Sequence, residues 1–228
     1  MARGPAHVNA LFETAIQRRV PFLLGTLAVA LLLVTGMALA PDLLSGILFA
    51  VALLLYLGLV ATATAALNYH PRRLIERPGE LATVDSPGPV LIAAGVTFLA
   101  TGLVADDVGD WLGGDEVTPF DIVYTSAWPL LLALSWYTAL GKFGVALRSD
   151  GIHERRPFGT LFVPWAALDP ELAAEPGRLN LVTLRIRHPE TVVRRGIRGT
   201  NATVRGATDA AYLAGVINSA VTTRAAHH

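Results

Sequence analysis

The chain of 228 residues contains no cysteine. This absence excludes a disulfide framework, thiolate catalysis and a thiolate metal site. Lysine is almost absent too: Lys142 is the only lysine, and the other 17 basic residues are arginines. A strong preference for arginine and alanine is typical of a GC-rich genome. The sequence therefore indicates a bacterial source, for which an actinobacterium is one candidate.

Aspartate, glutamate, lysine, arginine and histidine are missing from four long apolar stretches, at 20–40, 43–67, 89–105 and 122–140. A helix of about 20 apolar residues is long enough to cross a hydrocarbon core of roughly 30 Å. We therefore predict an integral membrane protein in which residues 20–141 form a four-helix transmembrane bundle. A proton-coupled pump or an intramembrane hydrolase needs titratable groups at depth, so this absence argues against both classes.

Basic residues are also missing from two connecting segments, 41–44 and 105–121, which together hold seven acidic residues. All 18 basic residues lie in the other segments. Lysine and arginine near the ends of membrane helices favour the cytoplasmic side. The sequence therefore predicts a multi-pass protein of the plasma membrane, with the N- and C-termini in the cytoplasm.

The N-terminal segment 1–19 is predicted to be cytoplasmic. Its apolar residues recur at helical spacing, which allows either an amphipathic helix on the inner membrane surface or a helix that runs into the first span. Arg18-Arg19 and the following apolar run resemble a twin-arginine signal that ends at 38–40. That run of 21 residues is longer than the roughly 7–15 residues of a signal-peptide core, so we expect an uncleaved anchor.

Two connections between the predicted spans contain polar residues whose pattern does not identify a particular kind of site. In the loop 68–88 we expect a helical turn at 72–77 and a solvated His70 that caps a helix end. The acidic loop 106–116 could offer oxygen ligands to a hard cation such as Ca²⁺, but it does not match the EF-hand pattern. Acidic residues are expected outside wherever basic residues are excluded. We therefore predict no metal and no cofactor.

From residue 142 the sequence pattern changes to short alternating runs. Turn signals at Asp150-Gly151 and 157–159 predict two hairpins, and 179–187 alternates as a strand that could pair with 191–195. Trp165 is expected to be a core or wedge residue and not a stacking site. A helical period follows a cap at Thr208 or Asp209, in five apolar residues: Leu213, Val216, Ile217, Ala220 and Val221. We predict a cytosolic domain at 142–228, made of about six antiparallel strands in a small β-barrel and one C-terminal α-helix.

Three motifs resemble a known family: L-R-S-D-G-I from Leu147, R-R-P-F-G from Arg155 and V-P-W-A-A-L from Val163. They are similar to the bacterial pleckstrin-homology-like (PH-like) domain of small actinobacterial membrane proteins, over about 143–222. The resemblance implies a cytosolic PH-like barrel capped by a helix, joined to a few membrane spans. It implies little about biochemical function, because the roles of this family are largely undefined.

Two basic clusters are candidates for binding an anion. The lipid-binding eukaryotic relatives of the family use a cluster at the first hairpin, which Lys142, His153 and Arg155 imitate only loosely, because Asp150 and Glu154 interrupt it. The better candidate for binding anionic lipid or a partner protein is a set of five arginines: Arg185, Arg187, Arg194, Arg195 and Arg198. They belong to the segment 142–228, which has 12 basic and seven acidic residues. The alternative is a solvated polar face of the barrel.

The sequence contains no H-E-x-x-H, no glycine-rich phosphate loop and no nucleophile elbow. We therefore expect a non-enzymatic, membrane-anchored adaptor or scaffold, whose PH-like domain binds a protein partner or the anionic inner leaflet. We expect no nucleic-acid partner, and a homo-oligomer is compatible with the sequence. The alternative function is an accessory or pore-forming subunit of a transporter, regulated by the PH-like domain.

Overall fold

The computed structural model describes residues 6–113, 118–196 and 202–225. They form two compact units, each built from two separate pieces of the chain. The helical unit comprises Met1–Asn68 and Pro87–Gly141, and the sheet unit comprises Tyr69–Ser86 and Lys142–His228. The sheet unit therefore contains the loop after the second apolar helix in addition to the predicted segment 142–228.

Within residues 6–68, 87–113 and 118–141, the helical unit forms five helices: α1 (Ala6–Gln17), α2 (Arg19–Leu39), α3 (Asp42–Ala66), α4 (Gly88–Gly113) and α5 (Pro119–Leu140). Within the described residues, three segments are long and apolar enough to cross a membrane, namely α2, α3 and Gly88–Ala105 of α4. This confirms the prediction of a membrane protein. Helix α5 coincides with the fourth predicted span, but Pro129 and several Ser, Thr, Trp and Tyr residues lower its apolarity.

Small residues allow α4 to pack closely against its neighbours. Ala93 and Ala94 are fully buried, in a cluster that also contains Leu23 of α2 and Ala139 of α5. Gly102 faces Phe49 of α3, where an added Cβ would lie only 3.0 Å from the aromatic ring. The indole Nε1 of Trp136 donates a hydrogen bond to Thr97 Oγ1 (3.2 Å) and links α5 to α4. Small side chains and interhelical hydrogen bonds are the usual means of helix association in lipid.

The acidic segment after residue 105 is partly helical, which corrects the predicted loop. Helix α4 continues to Gly113, so Asp107 and Asp110 lie on a helix, and Asp107 accepts a hydrogen bond from Thr125 Oγ1 of α5. Asp115 and Glu116 lie outside the described residues. In the part of the chain that the structure describes, no cluster of three acidic or histidine residues could hold a metal ion.

In its described residues, 69–86, 142–196 and 202–225, the sheet unit forms nine strands, which pair antiparallel in two sheets, and one long helix. The six-stranded sheet has the order β1-β2-β3-β4-β5-β8, and the three-stranded sheet has the order β6-β7-β9. The helix α6 follows as Ala210–Ala225. The strands are β1 (Leu74–Arg77), β2 (Glu80–Thr83), β3 (Gly144–Arg148), β4 (Gly151–Arg156), β5 (Gly159–Pro164), β6 (Ala174–Pro176), β7 (Leu181–Leu184), β8 (Val193–Arg195) and β9 (Thr203–Arg205).

Strong local signals predicted the two central hairpins and the helix correctly. The Asp150-Gly151 signal lies at the turn between β3 and β4, and 157–159 joins β4 to β5. Helix α6 buries Leu213, Ile217 and Val221 against the core of both sheets. Asp209 is its cap, because the Tyr212 N–H donates to Asp209 Oδ1 (2.9 Å).

The predicted helical turn at 72–77 is wrong, because Leu74–Arg77 forms strand β1, the first strand of the β1–β2 hairpin. Pro78-Gly79 supplies a two-residue turn in which Gly79 adopts a φ of +79°, a conformation that favours glycine. Strand β2 then pairs with β3, with Leu81 opposite Leu147 and Ala82 opposite Ala146. This pairing with residues far along the chain overrides the local helical spacing.

The predicted pairing of 179–187 with 191–195 is also wrong. Strand β7 pairs with β6 and β9, whereas β8 pairs with β5. The segment between them forms a short 3-10 turn at Pro189–Thr191, which does not close a hairpin. The three-residue strand β6 was not predicted from the sequence.

Side-chain hydrogen bonds fasten the segment 69–86 to the rest of the sheet unit. Thr208 Oγ1 accepts from the Val84 N–H (3.2 Å) and donates to the Arg73 carbonyl (3.1 Å). Thr83 Oγ1 accepts from the Val145 N–H (3.0 Å). His70 is half-buried and contacts the Asn180 side-chain amide (3.2 Å), so it is not the solvated cap that we expected.

The buried carboxylate of Glu154 joins the two sheets. Its side chain is 1% exposed and accepts two hydrogen bonds from Arg156, at 2.9 and 2.8 Å. It also accepts from the Arg205 N–H of β9 (3.0 Å), while Arg156 Nη2 donates to the Thr203 carbonyl (2.8 Å). A charged group inside a core is tolerated only when it is paired and hydrogen-bonded, and these three donors satisfy that condition.

Replacement Glu154→Gln is expected to destabilise the sheet unit by about 2–3 kcal/mol, because charge-assisted hydrogen bonds at a buried site are lost. The matched control is Glu175→Gln, which removes a half-exposed ion pair with Arg185 and is expected to cost below about 1 kcal/mol. Thermal unfolding of the full chain in detergent measures both. Equal losses in the two variants would contradict the role of Glu154 as a buried link.

Replacement Gly144→Ala is expected to destabilise the sheet unit by about 1–3 kcal/mol, because Gly144 has a φ of +129° and an added Cβ would lie 2.6 Å from Thr83 Oγ1. Gly215→Ala is the control, since this glycine lies in α6 with no atom within 4 Å of an added Cβ. It is expected to raise stability by about 0.5–1 kcal/mol. The same thermal unfolding experiment compares the two; a neutral Gly144→Ala would contradict the close approach to Thr83.

Candidate functional site: a basic face of the six-stranded sheet

The strand register places two arginines, Arg155 and Arg195, on one face of the six-stranded sheet. Gly144 pairs with Arg155, Arg155 with Thr160, and Thr160 with Arg195. Directly opposite residues of antiparallel strands point to the same face. Arg155 and Arg195 therefore flank Thr160 on the outer face, since the alternate residue Glu154 is buried on the inner side. Lys142 lies two residues before Gly144 in the sequence.

We call Lys142, Arg155 and Arg195 the basic row. All three side chains are exposed, and none has a carboxylate partner in the described part of the chain. The nearby Arg148 differs, because its Nε lies 2.8 Å from Glu80 Oε2. The basic row is therefore positive charge without a carboxylate partner: Arg155 and Arg195 lie on one sheet face, and Lys142 lines the same cleft as Arg155.

Aromatic residues border the basic row. The guanidinium of Arg155 lies 5.8 Å from the centroid of the Phe143 ring, within cation–π distance. In the neighbouring cross-strand row, the rings of His153 and Phe162 are 4.5 Å apart. These residues line a cleft of about 400 Å³ together with Lys142.

The orientation of His153 is fixed by Asp150. Nε2 of His153 lies 3.0 and 3.1 Å from the two carboxylate oxygens of Asp150. The pKa of the Asp150 carboxyl is lower than its usual value, chiefly because of this hydrogen bond, with smaller contributions from the charges of His153 and Arg148. Asp150 is therefore ionised at neutral pH and holds the imidazole against Phe162.

The structure separates the arginines that the sequence analysis grouped. Arg185 pairs with Glu175 (2.7 Å), and Arg187 lines a different cleft beside Trp165. Arg194 is half-buried opposite Leu161, and Arg198 lies outside the described residues. Of the four described arginines in that group, Arg195 alone belongs to the basic row. The cause is the pairing of β8 with β5 in place of β7.

Sequence reasoning noted Lys142 and Arg155 but did not connect them with Arg195. The missing information was the β5–β8 register, which no local turn signal encodes. Trp165 packs partly against the core, as expected, but its Nε1 also donates to the Arg148 carbonyl (2.8 Å) and its ring contacts Arg224. The pairing of Trp165 with Arg224 was not predicted.

The basic row can donate several charge-assisted hydrogen bonds to an oxyanion. Arginine presents a planar fork that suits phosphate and carboxylate groups, and lysine adds a point charge. The flanking Phe143 and Phe162 offer apolar surface beside that charge. No protein-family model, no curated protein and no solved structure matches the chain.

Proposed function

We propose that this is a four-span protein of the plasma membrane with both termini in the cytoplasm. The pairing of β2 with β3 supports the number of spans. Strand β2 precedes α4, and β3 follows α5, yet both strands belong to one sheet. The chain must therefore leave and re-enter the sheet unit on the same side of the membrane. If α4 crosses, α5 crosses as well.

The distribution of charge supports the orientation. Residues 41–44 and 105–121 contain no lysine or arginine, whereas 69–86 and 142–228 together contain 15. Basic segments remain on the cytoplasmic side. The sheet unit is accordingly cytoplasmic, and it is assembled from the loop between the second and third spans and the C-terminal segment.

The sheet unit resembles a PH-like barrel that the β1–β2 hairpin extends. The two sheets are linked through Glu154, and α6 covers their common core. The three sequence motifs that carry the family resemblance lie on β3, β4 and β5, on the turns that join them and on the 3-10 turn Trp165–Ala167 that follows β5. These features support the PH-like assignment.

The activity that we propose is non-enzymatic binding of the anionic inner leaflet by the basic row. The observation that carries this proposal is the set of three exposed cations without a carboxylate partner within the described residues. A suitably placed lysine or arginine contributes about 1 kcal/mol near an anionic leaflet. Lys142 is the second residue after Leu140, the last residue of α5, so its tether to the membrane span is short.

Cysteine labelling tests the topology, and the chain offers a background without native cysteine. Single cysteines at the exposed positions Glu76, Gly113 and Glu171 are treated in intact cells with a membrane-impermeant thiol reagent. Gly113→Cys is expected to react, whereas Glu76→Cys and Glu171→Cys are expected to be protected until the cells are opened. Labelling of Glu76→Cys and Glu171→Cys on opposite sides would contradict the four-span topology.

Lipid titration tests the basic row. The full chain in a neutral detergent is titrated with short-chain phosphatidylglycerol or phosphatidylcholine, and the thermal midpoint is recorded. We expect stabilisation by phosphatidylglycerol alone, weakened at high salt, because the Debye length near 0.15 M is only about 8 Å. Replacing Lys142, Arg155 and Arg195 by Gln is expected to weaken binding by up to about 3 kcal/mol, or about 1 kcal/mol per residue.

The matched control removes three exposed arginines from the region of the other sheet, Arg178, Arg185 and Arg205, and is expected to retain most of the binding. An equal loss in the control would mean that net charge, and not the basic row, attracts the lipid. If phosphatidylglycerol does not stabilise the wild-type chain at low salt, the leaflet proposal is wrong and a protein partner or a transporter becomes the better hypothesis.

A further inference from the structure

A second cleft of about 570 Å³ lies in the sheet unit, away from the residues of the basic row. It is bordered by the β3–β4 turn, by the 3-10 turn Trp165–Ala167, by the residues after β7 and by the end of α6. Trp165, Leu168 and Val221 give it an apolar wall, and Arg187 and Arg224 give it positive charge.

Arg224 is held in a fixed position above Trp165. Its guanidinium carbon lies 4.4 Å from the centroid of the ring, and its Nη1 donates to the Ala220 carbonyl of its own helix (3.1 Å). The indole is fixed in turn, because Nε1 donates to the Arg148 carbonyl (2.8 Å). A preorganised guanidinium loses little conformational entropy when it binds an anion.

Arg187 supplies a second cation. Its backbone N–H donates to the Ala167 carbonyl (2.8 Å), which fixes its place beside the 3-10 turn. In the described part of the chain, neither Arg187 nor Arg224 has a carboxylate partner. The acidic group in the lining, Asp150, is already engaged by His153. The other basic residue, His188, has Glu190 as its partner (3.3 Å).

The cleft does not end at Trp165. A neighbouring cleft of about 370 Å³ shares Trp165 and Arg224 with it and is lined by Ala220 and Val216 of α6. Its other charged lining residues are of both signs: Glu76, Arg77, Glu80 and Arg148. The two clefts therefore meet at the Trp165–Arg224 stack, so a chain segment laid across the stack would contact both.

We propose that this surface binds an acidic, extended segment of a partner protein. Carboxylates of the segment pair with Arg187 and Arg224, and an apolar side chain of the segment packs against Trp165 and Leu168. Arginine and carboxylate form bidentate hydrogen bonds, and tryptophan and arginine are the residues that most often dominate binding energy at interfaces. This inference uses none of the residues of the basic row, so it stands apart from the proposed lipid binding.

The test uses the full chain in neutral detergent and a fluorescently labelled glutamate-rich peptide that contains one phenylalanine. Fluorescence anisotropy should show saturable binding, which the same peptide with glutamine in place of glutamate should lack. Arg187→Gln with Arg224→Gln is expected to weaken binding about tenfold or more. The control pair, Arg178→Gln with Arg205→Gln, removes the same charge elsewhere and should bind within about twofold of the wild type.

Because Arg224 contacts Trp165, the single variant Arg187→Gln is measured as well; its side chain is exposed, so it should leave the thermal midpoint unchanged and still weaken binding. Absence of saturable binding, or equal losses in the test and control pairs, would overturn the proposal. So would loss of peptide binding in the variant of the basic row. Displacement of the peptide by short-chain phosphatidylglycerol would assign this surface to a lipid headgroup and would likewise overturn it.

Discussion

The pairing of β2 with β3 is the constraint on which the rest of the molecule depends. It places Leu81 opposite Leu147 and joins two pieces of chain that are separated by two long helices. The hydroxyl of Thr83 reinforces the junction through the Val145 N–H, and Gly144 is required there because no side chain fits beside Thr83. The extended sheet and the protected edge of β3 both follow from this one pairing.

In the sheet unit, several acidic residues are paired within the protein, whereas several basic residues are exposed without an acidic partner among the described residues. Several carboxylates are committed to internal partners: Glu154 to Arg156 and the β9 backbone, Glu80 to Arg148, and Glu175 to Arg185. The segments 69–86 and 142–228 together carry 15 basic and ten acidic residues, so this commitment leaves an excess of arginine and lysine at the surface. The basic row and the Trp165–Arg224 stack are two places where that excess is concentrated, each beside aromatic side chains.

Features that local sequence determines could be predicted. The apolar lengths indicated the membrane helices, the Asp150-Gly151 turn indicated β3–β4, and the apolar spacing after Asp209 indicated α6. The β1–β2 hairpin and the β5–β8 pairing could not be predicted, because each depends on partners that are distant in the sequence and only the folded sheet brings together. The candidate site shows the same limit: Arg195 was grouped with Arg185 from the sequence, but in the sheet its row contains Thr160 and Arg155.

The sheet unit is built from two separate pieces of the chain, which are synthesised at different times. Strand β2 leaves the ribosome before β3, and residues 84–143, which include α4 and α5, must be synthesised in between. Until then the β1–β2 hairpin lacks its neighbouring strand, and an isolated hairpin is only marginally stable in water. Bare strand edges pair readily with other chains, so this interval is when the nascent protein is most exposed to aggregation. Completion of the sheet therefore waits until both helices have been made, which couples maturation of the sheet unit to that of the helical unit.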